Sequence, residues 1–147
     1  MRNRKITRWL TTAAVLLGIG FITPIATAGP AAASGYGCNG SLIDTINHTS
    51  SSGALVAKTF LYWDGTYNCA VAVKQGSYYG TSSRMDLSLG TPDKLVGDSG
   101  SYSYYAGPIK VYGVGKCIFT ELTVYPAGGG REYFQDRNPY SGYFHCG

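Results

Sequence analysis

The sequence contains few of the groups on which most enzymes depend. It has two histidines, His48 and His145, and no G-x-S-x-G segment of the kind that presents a nucleophilic serine on a tight turn. Neither histidine lies in a pattern typical of a catalytic triad. Most aspartates fall in turns or at outward-facing strand positions, where solvation explains their presence. We therefore predict a protein without catalytic residues.

Close cysteine pairs and dense groups of acidic residues are also absent. The four cysteines are far apart and form no C-x-x-C motif, which argues against the common zinc sites. Asp93 and Asp98 flank a Lys-Leu-Val-Gly segment, without the acid spacing of a calcium-binding loop. The sequence therefore predicts neither a metal site nor a cofactor.

Long apolar runs are missing except near the N-terminus. There, residues 9–22 (WLTTAAVLLGIGFI) follow a basic segment at residues 1–8 and precede small-residue motifs that end at Ala28 and Ala33. This order is typical of a secretory signal peptide, and the run is shorter than the ~20 apolar residues that cross a bilayer. We predict a signal peptide over residues 1–28, with cleavage after Ala28 or Ala33.

The part of the chain after the predicted signal peptide divides into a flexible linker, residues 29–37, and a single β domain, residues 38–147. The whole chain has twelve Lys and Arg against eight Asp and Glu. Four of the basic residues lie in residues 1–8, so the remainder balances eight against eight. Balanced and scattered charge provides no basic footprint for nucleic acid or anionic lipid. We expect no nucleic-acid partner, and no membrane association after cleavage.

Short segments after residue 28 alternate between apolar and polar residues, and no window has sustained helical periodicity. Such segments, separated by Gly and Pro turns, are typical of an all-β fold, either an antiparallel β-sandwich or a small barrel. The clearest hairpin joins ALVAKTFLYW to NCAVAVK through Asp64-Gly65. The predicted strands are Leu42–Asn47, Ala54–Trp63, Asn68–Lys74, Arg84–Leu89, Cys117–Tyr125 and Arg131–Gln135, with a short edge piece at Lys94–Gly97.

The segment from Asp98 to Cys117, DSGSYSYYAGPIKVYGVGKC, is predicted to contain two short strands. We expect Gly107-Pro108 to separate them, because proline has no N–H to donate to a strand ladder. In the second strand, Ile109 and Val111 alternate with polar residues and are expected to face the core.

The four cysteines, Cys38, Cys69, Cys117 and Cys146, predict two disulfide bonds, because an even number in a short exported chain is typical of such bonds. In an antiparallel strand order, Cys38 lies at the same end of the sheet as Cys69, and Cys117 at the same end as Cys146. This favours the pairs Cys38–Cys69 and Cys117–Cys146. The nested alternative, Cys38–Cys146 with Cys69–Cys117, stays open.

Tyrosine is unusually frequent, with thirteen residues, all after the predicted signal peptide. Tyrosine suits strands, and Tyr62, Tyr112 and Tyr125 are interpreted as ordinary strand residues. Tyrosine is also enriched at contact surfaces, since its ring is apolar and its hydroxyl is polar. The candidate binding surface consists of the tyrosines in one loop and in the Asp98–Cys117 segment, namely Tyr78, Tyr79, Tyr102, Tyr104 and Tyr105.

Four motifs resemble the spore-associated protein A family of actinomycetes. They are GYGCNGSL at Gly35–Leu42, YNCAVAV at Tyr67–Val73, SGSYSYYAGPIKVYGVGKC at Ser99–Cys117, and Cys146-Gly147. They span nearly all of the chain after the signal peptide and consist of cysteines, turns and strands. Residues 131–143 depart most from the family pattern. The resemblance implies a small secreted protein found with spores or the cell surface, and it offers no catalytic residue to carry over.

We therefore expect a secreted, non-enzymatic protein that is retained on the spore or cell surface, with envelope or spore-coat components as partners. The alternative is a secreted binding effector, such as a peptidase inhibitor or a toxin-like β domain. An inhibitor would use a rigid exposed loop, for which residues 75–83 and 136–142 are the candidates. The oligomeric state stays open.

Overall fold

The computed structural model describes residues 35–129 and 142–147. The predicted signal peptide, linker residues 29–34, the predicted strand Arg131–Gln135 and all but the last residue of loop 136–142 lie outside the described residues. The strands are β1 Ser41–Thr49, β2 Leu55–Trp63, β3 Tyr67–Lys74, β4 Ser83–Thr91, β5 Lys94–Tyr102, β6 Tyr105–Tyr112 and β7 Phe119–Val124, with a 3₁₀ turn at Gly76–Tyr78.

The seven strands form two antiparallel sheets that pack face to face. The four-stranded sheet has the order β1-β2-β3-β6, and the three-stranded sheet has the order β5-β4-β7. Alternate residues of both sheets fill the space between them, as is usual in a sandwich. The prediction of an all-β, antiparallel fold with disulfide bonds is confirmed. The core includes Ile46, Leu61, Ala70, Met85, Leu87, Leu89, Ile109, Val111, Leu122 and Val124.

The β2–β3 hairpin forms where its sequence predicts it. Asp64 accepts hydrogen bonds at Oδ1 from the backbone N–H groups of Thr66 and Tyr67, at 2.9 and 2.7 Å, and so closes the turn. These hydrogen bonds to the charged form lower the pKa of the Asp64 carboxyl. A short polar side chain that satisfies turn N–H groups is the usual reason that Asp occupies such positions.

The Asp98–Cys117 segment differs from its prediction in where the chain turns. Strand β5 continues unbroken from Lys94 to Tyr102, and the chain passes to the other sheet at Ser103-Tyr104. Gly107-Pro108 lies inside β6, with a cis peptide bond, where the β3–β6 register shifts between Ala70 and Ala72. A bulge leaves a residue unpaired and therefore tolerates proline, so β6 continues through Pro108.

The four-stranded sheet is covered on both faces, at least over β2 and β3. On its outer face, Cys38, Tyr62, Cys69, Val71 and Val73 form a second buried cluster. The turn at residues 35–38 lies over this cluster and joins the predicted linker, which ends at residue 37, to the predicted domain. Within the turn, the Cys38 N–H donates to the Gly35 carbonyl at 3.0 Å. The disulfide Cys38–Cys69 attaches this turn to β3. Alternate residues of the β3 segment NCAVAVK therefore point to opposite faces of the sheet, and both faces are buried.

Lys74 also lies on a buried face. The sequence pattern places it with Ala70 and Ala72, and in the structure these two alanines face the core between the sheets. Lys74 is fully buried, with 0% of its surface exposed. Charged residues are seldom buried without partners, and the partners of the Lys74 ammonium lie in the three-stranded sheet and in the loop before it.

The second disulfide joins Cys117 to Cys146. The two bonds are those of the favoured pairing, and the described residues contain no free cysteine. A backbone bridge beside the second bond joins Ile118 to Phe144 through hydrogen bonds of 2.8 and 2.7 Å. Residues 142–147 are therefore attached to the start of β7. No helix in residues 35–129 or 142–147 has the length and apolar character needed to cross a bilayer.

Candidate functional site

Exposed tyrosines are concentrated on the outer face of β3 and β6 and at its end. The register pairs Tyr67 with Tyr112, Cys69 with Lys110, and Val73 with Tyr105, so these side chains share one face. From the Tyr67 pair to the Tyr105 pair the face extends for about 20 Å, at 3.3 Å per residue. We call Tyr36, Tyr67, Tyr105 and Tyr112 the outer-face tyrosines; each exposes between 39 and 47% of its surface.

Tyr36 is held on this face by the N-terminal turn. Its ring lies 5.3 Å from that of Tyr105 and 6.1 Å from that of Phe60. Its backbone has a positive φ of 55°, a conformation that costs a bulky residue free energy. The Cys38–Cys69 disulfide, two residues later, fixes the turn in place. The sequence had suggested a flexible linker here, since small residues precede the turn.

The opposite end of the outer face carries a second aromatic pair. The rings of Tyr67 and Tyr112 meet edge to face at 5.9 Å. The ammonium group of Lys110 lies 5.5 Å from the Tyr67 ring, and that of Lys116 lies 5.6 Å from the Tyr112 ring. Such cation–π contacts hold the rings while leaving their other faces exposed. Tyr112 was interpreted as an ordinary strand residue, because sequence alone does not show which strand face stays open.

Tyr79 and Tyr104 form a third exposed pair beside the outer face, at the Tyr105 end. Their rings meet edge to face at 5.0 Å, and each exposes more than half of its surface. Tyr79 follows the 3₁₀ turn, and Tyr104 lies between β5 and β6. The Gly80 N–H donates to the Ser103 carbonyl at 2.8 Å, and the Lys74 N–H donates to the Tyr104 carbonyl at 2.8 Å. Backbone hydrogen bonds therefore fix both loops.

The Lys74 side chain anchors the same two loops from below. Its ammonium donates to the Thr81 carbonyl at 2.8 Å, to Ser83 Oγ at 2.7 Å and to the Tyr102 carbonyl at 2.7 Å. Burial lowers the pKa of this ammonium. Three neutral oxygens thus take the place of water around a buried cation.

Tyr78 and Tyr102, the other two members of the predicted binding surface, pack against the main core and are half-buried. The Tyr102 hydroxyl donates to Asp98 Oδ1 at 2.5 Å, and this bond raises the pKa of the hydroxyl. The Gly107 N–H donates to Asp98 Oδ2 at 2.7 Å. Tyr102 and Asp98 therefore support the β5–β6 connection. Of the five predicted residues, the structure leaves Tyr79, Tyr104 and Tyr105 exposed.

The tyrosine arrangement suits contact with a long ligand. An open cleft of about 500 Å³ lies beside Tyr104 and Tyr105 and is also lined by Tyr102 and Gly107. An exposed tyrosine ring offers an apolar face and a polar hydroxyl to a ligand. It loses little conformational entropy on binding, because its side chain has few rotatable bonds. The face is extended rather than deep, so it fits a chain-like partner better than a small molecule.

The two histidines contact different residues. His48 is buried, and its Nε2 lies 2.8 Å from Thr59 Oγ1. His145 Nε2 lies 3.0 Å from Asp44 Oδ2 at the surface. Across residues 35–129 and 142–147, no group of three or more His, Cys, Asp or Glu residues is arranged to hold a metal ion.

No protein-family model, curated protein or solved structure matches this chain.

Proposed function

We propose that this chain is a secreted, non-enzymatic protein that is retained on the spore or cell surface. The tyrosines that line the outer face of β3 and β6, with the Tyr79–Tyr104 pair beside them, are the observation that carries the proposal. Exposed tyrosine rings are enriched at contact surfaces, because each combines an apolar face with a polar hydroxyl.

Secretion is supported by two independent features. The N-terminal segment has the order of a signal peptide. The four cysteines form two disulfide bonds, which persist in oxidising compartments. A small domain outside the cell gains stability from such bonds, and it meets the envelope there.

The partner we propose is a polysaccharide of the envelope. Sugar rings have apolar C–H faces that stack on tyrosine, and their hydroxyls hydrogen-bond with its phenol. The exported part of the chain has balanced charge, so electrostatic attraction alone does not favour binding to a polyanion. Lys110 and Lys116 lie against tyrosine rings, which leaves the face itself aromatic.

Co-sedimentation with washed spores and with purified cell-wall polysaccharide tests this proposal. We expect the disulfide-bonded protein to sediment with at least one of these materials. Replacing Tyr105 and Tyr112 together by Ser should weaken binding by on the order of tenfold or more, since each lost ring contact costs about 1 kcal/mol.

Tyr143→Ser is the matched control. Tyr143 exposes 49% of its surface, but its ring contacts Phe119 on the other sheet. Equal retention of the double variant and the control would contradict the proposal. Stoichiometric capture of one secreted peptidase, without retention on envelope material, would favour the peptidase-inhibitor alternative.

A further inference from the structure

A small pocket lies at the end of the sandwich near the β2–β3 turn, next to the Tyr67–Tyr112 end of the outer face. It encloses about 280 Å³. Its described lining combines strand residues of the four-stranded sheet with the terminal segment attached by the Cys117–Cys146 disulfide. The lining residues are Ile43, Trp63, Asn68, Gly113, His145, Cys146 and Gly147.

Asn68 is the group that marks this pocket as a binding site. Only 3% of its surface is exposed, yet it lines the pocket. Its side-chain amide makes no hydrogen bond to any residue within 35–129 or 142–147. The amide therefore faces the open pocket, where a ligand that pairs with it would replace water as its hydrogen-bonding partner. Asn68 offers such a ligand both a donor and an acceptor.

Gly113 makes room for this amide. A Cβ atom at residue 113 would collide with Asn68 Nδ2 and would lie 3.0 Å from the Trp63 ring. The backbone of Gly113 is fixed by its N–H, which donates to the Thr66 carbonyl at 3.0 Å. The absence of a side chain here therefore keeps Asn68 and Trp63 in place as one wall of the pocket.

His145 provides the opposite polar group. Its Nε2 lies 3.0 Å from Asp44 Oδ2, across a sequence separation of 101 residues. The neighbouring disulfide and the Ile118–Phe144 bridge hold the segment that carries it. Its backbone has a positive φ of 46°, a conformation rare for a residue with a side chain. His145 and Asp44 therefore form a hydrogen-bonded pair that fixes the position of the imidazole at the pocket.

From this geometry we propose that the pocket binds a neutral ligand of about the size of one sugar ring, bearing hydroxyl or acetamido groups. The Trp63 ring provides an apolar wall, and Asn68 and His145 provide hydrogen-bonding groups around it. A few placed polar groups within an apolar lining are typical of small-ligand sites. The Asp44 carboxyl group, 3.0 Å from His145 Nε2, disfavours an anionic ligand at this pocket. This proposal does not depend on the function proposed for the tyrosines.

The pocket is suited to binding rather than to covalent chemistry. Its described lining contains no hydroxyl side chain, and Cys146 is committed to a disulfide. His145 therefore has no nucleophile to activate among the residues that the structure describes here.

Titration of the disulfide-bonded protein, followed by ¹H–¹⁵N NMR, tests the proposal. The probes are glucose, N-acetylglucosamine and, as a charged comparison, glucuronate. We expect at least one neutral sugar to shift the Asn68 side-chain amide and the Trp63 indole signals saturably. With so few contacts the Kd should be in the millimolar range, so concentrations extend to about 50 mM.

Asn68→Ala should weaken this binding about tenfold, because a ligand hydrogen bond is lost. Asn47→Ala is the matched control, since Asn47 is exposed on β1, which β2 separates from β3. If Asn68→Ala does not fold, His145→Gln replaces it, because His145 is exposed and its loss leaves the core intact.

Three outcomes would overturn the proposal. They are the absence of any shift with either neutral sugar, equal binding by the wild type and the pocket variants, and binding of glucuronate as tight as that of the neutral sugars. Neither pocket variant should affect sedimentation with envelope material, and Tyr105→Ser, at the other end of the outer face, should keep the NMR titration unchanged. The two proposals can therefore fail separately.

Discussion

Lys74 Nζ donates a 2.7 Å hydrogen bond to the backbone carbonyl of Tyr102, and this bond joins the two sheets at the end where Tyr79 and Tyr104 meet. The bond joins the last residue of β3, in the four-stranded sheet, to the last residue of β5, in the other. One buried cation thus ties both loops that present exposed tyrosines.

Replacing Lys74 by Met is expected to destabilise the protein by ~2 kcal/mol, because the Thr81 and Tyr102 carbonyls lose a buried donor while the volume is kept. Urea unfolding measures the change. The exposed Lys94→Met variant is the control and should stay within about 0.5 kcal/mol of wild type. An unchanged unfolding free energy in Lys74→Met would contradict this prediction. It would mean that the hydrogen bonds of the Lys74 ammonium only offset the free energy lost when the ammonium is buried.

Acid should destabilise the protein through His48. Burial lowers the pKa of His48 from 6.5 to about 4. Between these pH values the unfolded chain binds a proton that the folded chain does not, so the unfolding free energy falls as the pH falls. The full effect is on the order of 3 kcal/mol and is complete near pH 4.

The comparison of His48→Gln with wild type isolates this effect. Urea unfolding at several pH values between about 7 and 4 should show a shallower slope in the variant, since glutamine does not titrate in this range. His145→Gln retains His48 and serves as the control. A slope in His48→Gln as steep as that of wild type would contradict the assignment. The Asp64 and Asp93 carboxyls, whose pKa values are lowered, lose their contributions only below this range.

The two disulfides should have similar effects on stability but different effects on the candidate sites. They join residues 31 and 29 positions apart. Replacing either pair by Ser should therefore cost ~3 kcal/mol, because chain entropy is released in the unfolded state.

Their functional effects are expected to separate. Loss of Cys38–Cys69 releases the turn that carries Tyr36 and should weaken retention on envelope material. Loss of Cys117–Cys146 releases the segment that carries His145 and should weaken the sugar titration. Co-sedimentation and NMR of both double-serine variants check this, and an effect of either variant on both readouts alike would indicate general loosening of the fold.

Gly113→Ala should close the proposed sugar pocket. The new Cβ would displace the Asn68 amide and press on the Trp63 ring, so neutral sugars should no longer shift these signals. Gly128→Ala is the control, because nothing lies within 4 Å of its Cβ position. Sugar binding that survives in Gly113→Ala would place the ligand elsewhere.

The alternation of apolar and polar residues predicts much of the fold. Met85, Leu87 and Leu89 alternate with polar neighbours and all face the core, and the Asp64-Gly65 turn lies where its residues indicate. The end of β5 and the start of β6 were predicted less well. Gly107-Pro108 is a strong local signal for a break, but a bulge accommodates it, because pairing with β3 continues on both sides.

The candidate sites were only partly predictable, since they depend on contacts between distant parts of the chain. The frequency of tyrosine directed attention to Tyr79, Tyr104 and Tyr105, which are exposed, and also to Tyr78 and Tyr102, which support the core. Nothing local indicated that Tyr67 and Tyr112 would meet, or that His145 would reach Asp44.

Local patterns in the chain are enough to specify strands, turns and the need for disulfide bonds, because these depend on neighbouring residues and on the count of cysteines. Alternation assigns residues to two faces of a strand, but it does not say what covers each face. Only the packing of the second sheet and of the N-terminal turn buried both faces of β3 at Ala70 and Val71, left the tyrosines open, and enclosed Asn68 in a pocket. That outcome depends on contacts between residues far apart in sequence, whose free energy appears only when the whole chain folds.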